Sequence, residues 1–123
     1  MYAVFNFKGR HATAQIQTGF MTPVVLVIDN KHPRMTAKPI NVSIVTKPVK
    51  FIDAARRLIE KNETQEFSLG SLDGTLVPHK HRIKIIFNRV NDIPIKREGF
   101  VLSICSLEKM VNFFDAYFTN LSA

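Results

Sequence analysis

The sequence predicts an α+β fold made of two similar halves, each a run of four β-strands closed by one amphipathic helix. Apolar residues alternate with period two through most segments, the spacing of half-buried strands. The period changes to about 3.6 at two places, after Pro48 and after Ser106. The segments leading into those two places also match in letters, Val42-Ser43-Ile44-Val45-Thr46 lying over Leu102-Ser103-Ile104-Cys105-Ser106. With a single gap, Phe51-Ile52-Asp53-Ala54-Ala55 then lies over Met110-Val111-Asn112-Phe113-Phe114. The halves run over about 1–62 and 63–123. A chain of 123 residues can bury one core, so 1–123 is expected to be a single domain.

The first half opens with residues 2–8 as a strand, a tight reversal at Gly9-Arg10, and the strict alternation His11-Ala12-Thr13-Ala14-Gln15-Ile16-Gln17 as its hairpin partner. Val24-Val25-Leu26-Val27-Ile28 is β-branched and continuous, which suits a strand covered on both faces or central in its sheet. Two prolines and the basic residues Lys31, His32, Arg34 and Lys38 make 31–39 an exposed loop. A fourth strand places Ile40, Val42 and Ile44 on one face, with Asn41 and Ser43 on the other. Pro48 suits the first turn of a helix, where its missing N–H has no partner to lose. Phe51, Ile52, Ala55, Leu58 and Ile59 form the helix's apolar stripe, and Asn62 is its stop.

The second half repeats that order. Residues 65–69 and 74–77 are short strands around a Gly/Asp turn, and 82–89 is a strand with Ile83, Ile85 and Phe87 alternating against Arg82, Lys84 and Asn88. Phe100, Leu102 and Ile104 mark a last strand with Val101, Ser103 and Cys105 on its far face. Ser106 is the expected N-cap, with Glu108 near the positive helix end. The helix stripe holds Leu107, Met110, Val111, Phe114, Tyr117, Phe118 and Leu121. Phe113 lies beside that stripe, and this surplus aromatic area predicts helix packing between the halves and a homodimer or larger assembly.

Charge carries the first functional content. The net charge of +7 draws polyanions, whereas the plain alternative is a surface that only aids solubility. The excess falls in the first half, with ten Lys/Arg against three acids, while the second half holds seven of each. Residues 80–97 are nevertheless locally basic, Asp92 being their only acid. A 46% hydrophobic share is too apolar for disorder, and no window approaches the length of a membrane span. The N-terminal residues lack the pattern of a secretory leader, and the single cysteine, Cys105, builds neither a disulfide nor a cysteine-rich zinc site. The expectation is a soluble cytoplasmic protein, or a nuclear or host-cytoplasmic one if viral.

Two β-β-β-β-α copies totalling about 120 residues resemble the fold shared by Pur-repeat proteins, the Whirly proteins and the transcription cofactor positive cofactor four, a superfamily that binds single-stranded DNA. The resemblance covers the whole chain and rests on element order and repeat length. It implies two antiparallel sheets meeting through packed helices, with nucleic acid lying across the exposed sheet faces against basic and aromatic side chains.

Single-stranded nucleic acid is held by Lys and Arg at phosphates and by rings on which bases stack. Arg82 and Lys84 share one face of a strand, about 7 Å apart. Lys8 and Arg10 flank the first hairpin turn, Lys31, Arg34 and Lys38 lie in the long loop, and Lys80 and Arg89 extend the second-half basic stretch. Tyr2 and Phe20 are the rings least claimed by an apolar face, whereas Phe5, Phe7, Phe51, Phe114 and Phe118 read as core. The alternative for each cation is a solvated edge or loop charge that discourages strand pairing.

Other chemistries lack their residues. His79 and His81 sit at i and i+2 without carboxylates or thiols to complete a metal shell, and His11 and His32 fall in the other half. There is no Gly-rich phosphate loop, nucleophile elbow or close carboxylate pair, and Cys105 reads as a small buried hydrophobe. The sequence therefore points to a non-enzymatic binder of single-stranded DNA, or RNA, with low sequence specificity and no cofactor or metal. It would act in replication, recombination or transcription, with a protein of those processes as a second partner. The rival is a protein-interaction module, such as a viral or plasmid regulator docking on a host protein.

Overall fold

In the computed structural model of the chain, the period-two segments pair with their sequence neighbours into two antiparallel meanders. The structure describes residues 2–10, 12–19, 24–30, 39–91 and 93–122, and among these the side chains of all but 2, 3, 30, 93–98 and 120–122. The first sheet has the order β1 (Tyr2–Lys8), β2 (Ala12–Thr18), β3 (Val24–Asn30), β4 (Ile40–Ile44), and is followed by helix α1 (Val49–Lys61). The second has the order β5 (Gln65–Leu69), β6 (Leu72–His79), β7 (Arg82–Val90), β8 (Ile93–Ser103), followed by α2 (Ile104–Ser122). The fold is thus α+β, with two four-stranded antiparallel sheets and two helices.

Alternation decides which side of each sheet is buried. On β2, Ala12, Ala14, Ile16 and Thr18 point inward and the residues between them stay half-exposed. Register then extends the rows: Phe5 lies opposite Ile16, Ile16 opposite Leu26, and Leu26 opposite Val42. In the second sheet the matching rows are Leu76, Ile85, Phe100 and Phe67, Gly74, Phe87. The β-branched run of β3 is central in its sheet but buried on one side only, since Val25 and Val27 remain half-exposed.

Both helices lie against the buried sides. The Phe51 ring of α1 meets Phe67 of β5 edge-on at 5.2 Å and Phe114 of α2 at 5.7 Å. The sheets touch through β1 and β8, where Phe7 and Phe100 pack at 6.3 Å. The buried residues of both halves form one cluster. Phe113, which the sequence left as surplus, meets Phe5 of β1 at 5.7 Å and Tyr117 at 5.6 Å, so its ring is used within the chain.

Several boundaries differ from expectation for local reasons. The last strand begins at Ile93 and ends at Ser103, whose hydroxyl accepts the Ser106 N–H at 3.0 Å. Ser103, not Ser106, therefore caps α2, because that bond satisfies one of the first-turn donors. Ile104 and Cys105 consequently lie in the first helical turn and are exposed, not on a buried strand end. The letter match between the halves holds for Val42 with Leu102 and Ser43 with Ser103, then fails, as Ile44 is 1% and Ile104 41% exposed. On α1, Ala54 joins the buried stripe, and Asn62 ends the helix in the left-handed conformation, φ 55°, its N–H donating to the Leu58 carbonyl at 2.8 Å.

The hairpins of the second sheet share one turn. Gly70, Lys80 and Asn91 each open a two-residue loop with positive φ, at 63°, 56° and 52°. Gly70 is also required by space, since a Cβ there would lie 2.7 Å from the Ser43 carbonyl oxygen of β4. Leu72 and Asp73, expected before the strand, open β6, and Gly74 lies within it as expected. A Cβ on Gly74 would run into the Phe67 ring and lie 2.5 Å from the Ile86 carbonyl oxygen.

Two ion pairs occur among the described residues, and both end on Asp115 of α2: Lys47 from the β4–α1 connection, and Arg56 of α1 at 4.0 Å. The Lys47 hydrogen bond and its charge hold the Asp115 carboxyl below its ordinary value against an opposing desolvation, with Arg56 adding a lesser pull in the same direction as Lys47. No helix among the described residues is long and apolar enough to cross a membrane.

Gly74→Ala is expected to destabilise the protein by about 1–3 kcal/mol, the usual cost of overpacking where a ring and a backbone carbonyl must both move; urea unfolding checks it. Asp115→Asn is expected to lower the melting temperature at neutral pH. Because the folded pKa is depressed, the lost stability is present above the unfolded value, about 3.9, and disappears as pH falls through the folded one. Melting curves of the two proteins should therefore converge in strong acid and stay apart at pH 7.

Candidate functional site

The open face of the second sheet is assembled from the residues that alternation leaves outside. Its rows across the strands are His79, Arg82, Ser103; then Val77, Lys84, Val101; then Glu66, Thr75, Ile86, Gly99; then Ser68, Asp73, Arg89. Arg82 is exposed and Lys84 half-exposed on the same side of β7, as their spacing predicts. A Cβ on Gly99 would collide with the Lys84 stem, so that stem lies flat across the β8 backbone. At the β6–β7 tip, His79, Lys80 and His81 are all exposed, which makes this end of the face basic.

Lys80 occupies a turn position that suits glycine or asparagine, as the two neighbouring hairpins illustrate. Its left-handed backbone costs about 1–2 kcal/mol in sterics, and the position presents a cation at the outermost point of the hairpin.

Arg89 reaches the same face by a different route. Strict alternation after Ile83, Ile85 and Phe87 would turn residue 89 inward. A bulge shifts the register, pairing Phe87 with Gly74 and Arg89 with Asp73, so that Asn88 is the extra residue. Val90 then regains the inward row opposite Leu72. The bulge bends the face into an open groove of ≈ 730 Å³. Its charged lining is Lys50 from the first turn of α1, Glu66, Asp73 and Arg89; Ser68, Thr75 and Asn88 add polar groups. Ser68 donates to Asp73 Oδ1 at 3.2 Å, and Asn88 Nδ2 donates to Thr75 Oγ1 at 2.9 Å. Asn88 Oδ1 is buried without a partner among the described residues.

The predicted cations fall into separate groups. Lys80, Arg82 and Lys84 gather at one end of the second sheet's open face, and Arg89 lies roughly 20 Å away along β7. Lys8 and Arg10 are exposed at the β1–β2 turn of the first sheet, closed by the Gly9 N–H to the Ala12 carbonyl at 2.8 Å. The open face there is nearly uncharged: Asn6, Thr13, Gln15, Gln17, Asn41 and Ser43 line it, with Lys8 and Asp29 its charges among the described residues. Lys31, Arg34, Lys38 and Phe20 lie outside the described residues, as does the side chain of Tyr2, whose backbone pairs with Thr18.

No described aromatic ring sits on either open face; Phe67, Phe87 and Phe100 are buried and Phe5 is packed against the core. Apolar area on the second face comes from Val77, Ile86 and Val101 instead. His79 and His81 find no third ligand, since no group of three His, Cys, Asp or Glu able to hold a metal occurs among the described residues. The groove is the feature the sequence did not announce, as it needs a bulge and four elements to form.

No protein-family model matches the chain, and no curated protein or solved structure matches it either.

Lys80→Gly is expected to stabilise the protein by about 0.5–1 kcal/mol, the steric relief less the unfolded-chain entropy that glycine adds. Equilibrium denaturation checks the sign; a loss of stability would mean that the Lys80 side chain holds the turn together.

Proposed function

We propose that this chain binds single-stranded nucleic acid, DNA in preference to RNA, along the open face of the second sheet. The observation that carries the reading is the placement of Arg82 and Lys84 side by side on a face where neither helix packs, with Lys80 at the adjoining tip. The small polar Ser103 beside Arg82 leaves room for a backbone to approach, and Gly99 lets the Lys84 stem lie flat on the face. A net charge of +7 favours a polyanion at longer range. Two four-stranded antiparallel meanders, each followed by a helix on the buried side, also support kinship with the Pur-repeat, Whirly and positive-cofactor-four type of fold.

Phosphate neutralisation dominates the proposed contact, because stacking has no described ring to use on this face. A strand following β7 would meet Lys80, Arg82 and Lys84 first, cross the apolar middle at Ile86, and leave by Arg89. Such binding fits a role in replication, recombination or transcription. The exposed Val45 (72%) and Val49 (53%) beside the β4–α1 connection are what favours the other reading, a module that docks on a protein.

Fluorescence anisotropy with a labelled 12-nucleotide thymine strand at several salt concentrations tests the proposal. The doubly substituted Arg82→Ala, Lys84→Ala protein should bind roughly tenfold or more weakly at low salt. Its log–log salt slope should be shallower by about 1.4, at 0.7 per phosphate contact on a single strand. Arg57→Ala, at an exposed position of α1, should leave both unchanged. Absence of binding by the native protein at low salt would end the proposal and leave protein docking as the reading that stands.

A further inference from the structure

The groove at the Arg89 end of β7 differs in character from the basic tip, and on the reading above the two ends of the face meet different parts of one strand. We propose that this groove holds a single guanine base by its hydrogen-bonding edge. Asp73 and Arg89 are direct cross-strand partners, whose Cβ atoms such pairing sets about 5 Å apart. Yet no ion pair joins them, and the described ion pairs all end on Asp115 elsewhere. Opposite charges held in register but unpaired, in a groove of ≈ 730 Å³, leave both sets of hydrogen-bonding sites for a ligand.

A carboxylate repels phosphate, so this end is not a continuation of the phosphate track. It accepts hydrogen bonds, and the Asp73 oxygen not engaged by Ser68 adds a second site to the first. Arg89 and Lys50 only donate. A matching edge must carry donors at one end and an acceptor at the other. Guanine presents N1–H and N2–H₂ as adjacent donors for Asp73, with O6 beyond them for Arg89 or Lys50. Thymine and uracil place one N–H between two carbonyls, which sets an oxygen against the carboxylate. Cytosine and adenine offer a single amino group beside a ring acceptor, and so only one such bond. Asn88, tied to Thr75, stands next to Arg89 on the bulge and fixes the groove's wall.

The test compares a 12-nucleotide all-thymine strand with the same strand carrying one central guanine, a single guanine being unable to form a quadruplex. Anisotropy titration should give about tenfold tighter binding of the guanine strand, the scale of one good bidentate base contact. Asp73→Asn should remove that preference while leaving the thymine strand bound at least as well. Arg89→Ala serves as the second variant if loss of the Ser68 contact disturbs the hairpin, and a thermal melt confirms that each variant is folded. Equal affinity of the native protein for the two strands, or a preference that survives both substitutions, would overturn the guanine subsite alone. Failure of either strand to bind would overturn the proposed function and this inference with it.

Discussion

The Phe51 ring is the contact on which the arrangement depends. It stands near the start of α1 and touches β5 through Phe67 and α2 through Phe114, both edge-on. Each such pair contributes about 0.5–1.5 kcal/mol beyond the burial of the rings, and truncating a buried phenylalanine costs about 3–5 kcal/mol. The geometric consequence matters more than the energy. With Phe51 fixed, α1 lies on the inner side of the second sheet, and α2 must follow it there. Phe7, Phe100 and Phe87 then close the line between the sheets, at 6.3 and 5.5 Å. Everything that alternates against these rings is left on the outside, which is how Arg82 and Lys84 come to share an open surface.

Departures from regularity are concentrated in the second sheet, and each does a separate task. Three two-residue turns keep its strands in tight register, with the β7–β8 turn bonded to the β5–β6 turn through the Asn91 N–H and the Ser71 carbonyl at 2.9 Å. The absence of a side chain at Gly74 admits the Phe67 ring. The bulge at Asn88 changes the parity of β7 partway along. One strand thereby serves as core at Ile83, Ile85 and Phe87, and as surface at both ends.

Strands and helices were legible because each obeys a short-range rule. Period-two burial put Ile83, Ile85 and Phe87 inside and Arg82 and Lys84 outside without any knowledge of neighbours. The α2 stripe from Leu107 to Phe118 was equally local. Errors arose where two local signals competed or where a distant group decided. Ser103 and Ser106 are both good caps, and only the backbone geometry at the end of β8 chooses between them, carrying Ile104 and Cys105 onto the helix. Asp73 has the letter of a turn residue, but Gly70-Ser71 takes that role and Asp73 joins β6. Arg89 was singled out for its charge, while the bulge that exposes it leaves no mark in the pattern. The groove was invisible for the same reason, since its lining comes from α1, β5, β6 and β7.

Net charge and local charge do separate work in this chain. The excess of seven lies wholly in the first half, yet the described open face of the first sheet is almost uncharged and rich in amides and hydroxyls. The second half is balanced overall, but its open face is sorted, cations at the β6–β7 tip and mixed charge at the Arg89 end. The field of a net charge acts beyond a Debye length of about 8 Å only weakly at physiological salt, so on the proposed reading it would draw a polyanion toward the surface without orienting it. Orientation has to come from contacts shorter than that length. Along roughly 20 Å of β7, a row of positive groups gives way to an apolar middle and then to a carboxylate, and a strand laid in one direction meets a different sequence of charges from a strand laid in the other. On the proposed reading, the sorted face is therefore the part of the described surface able to set a strand's polarity and register, and net charge by itself supplies attraction alone.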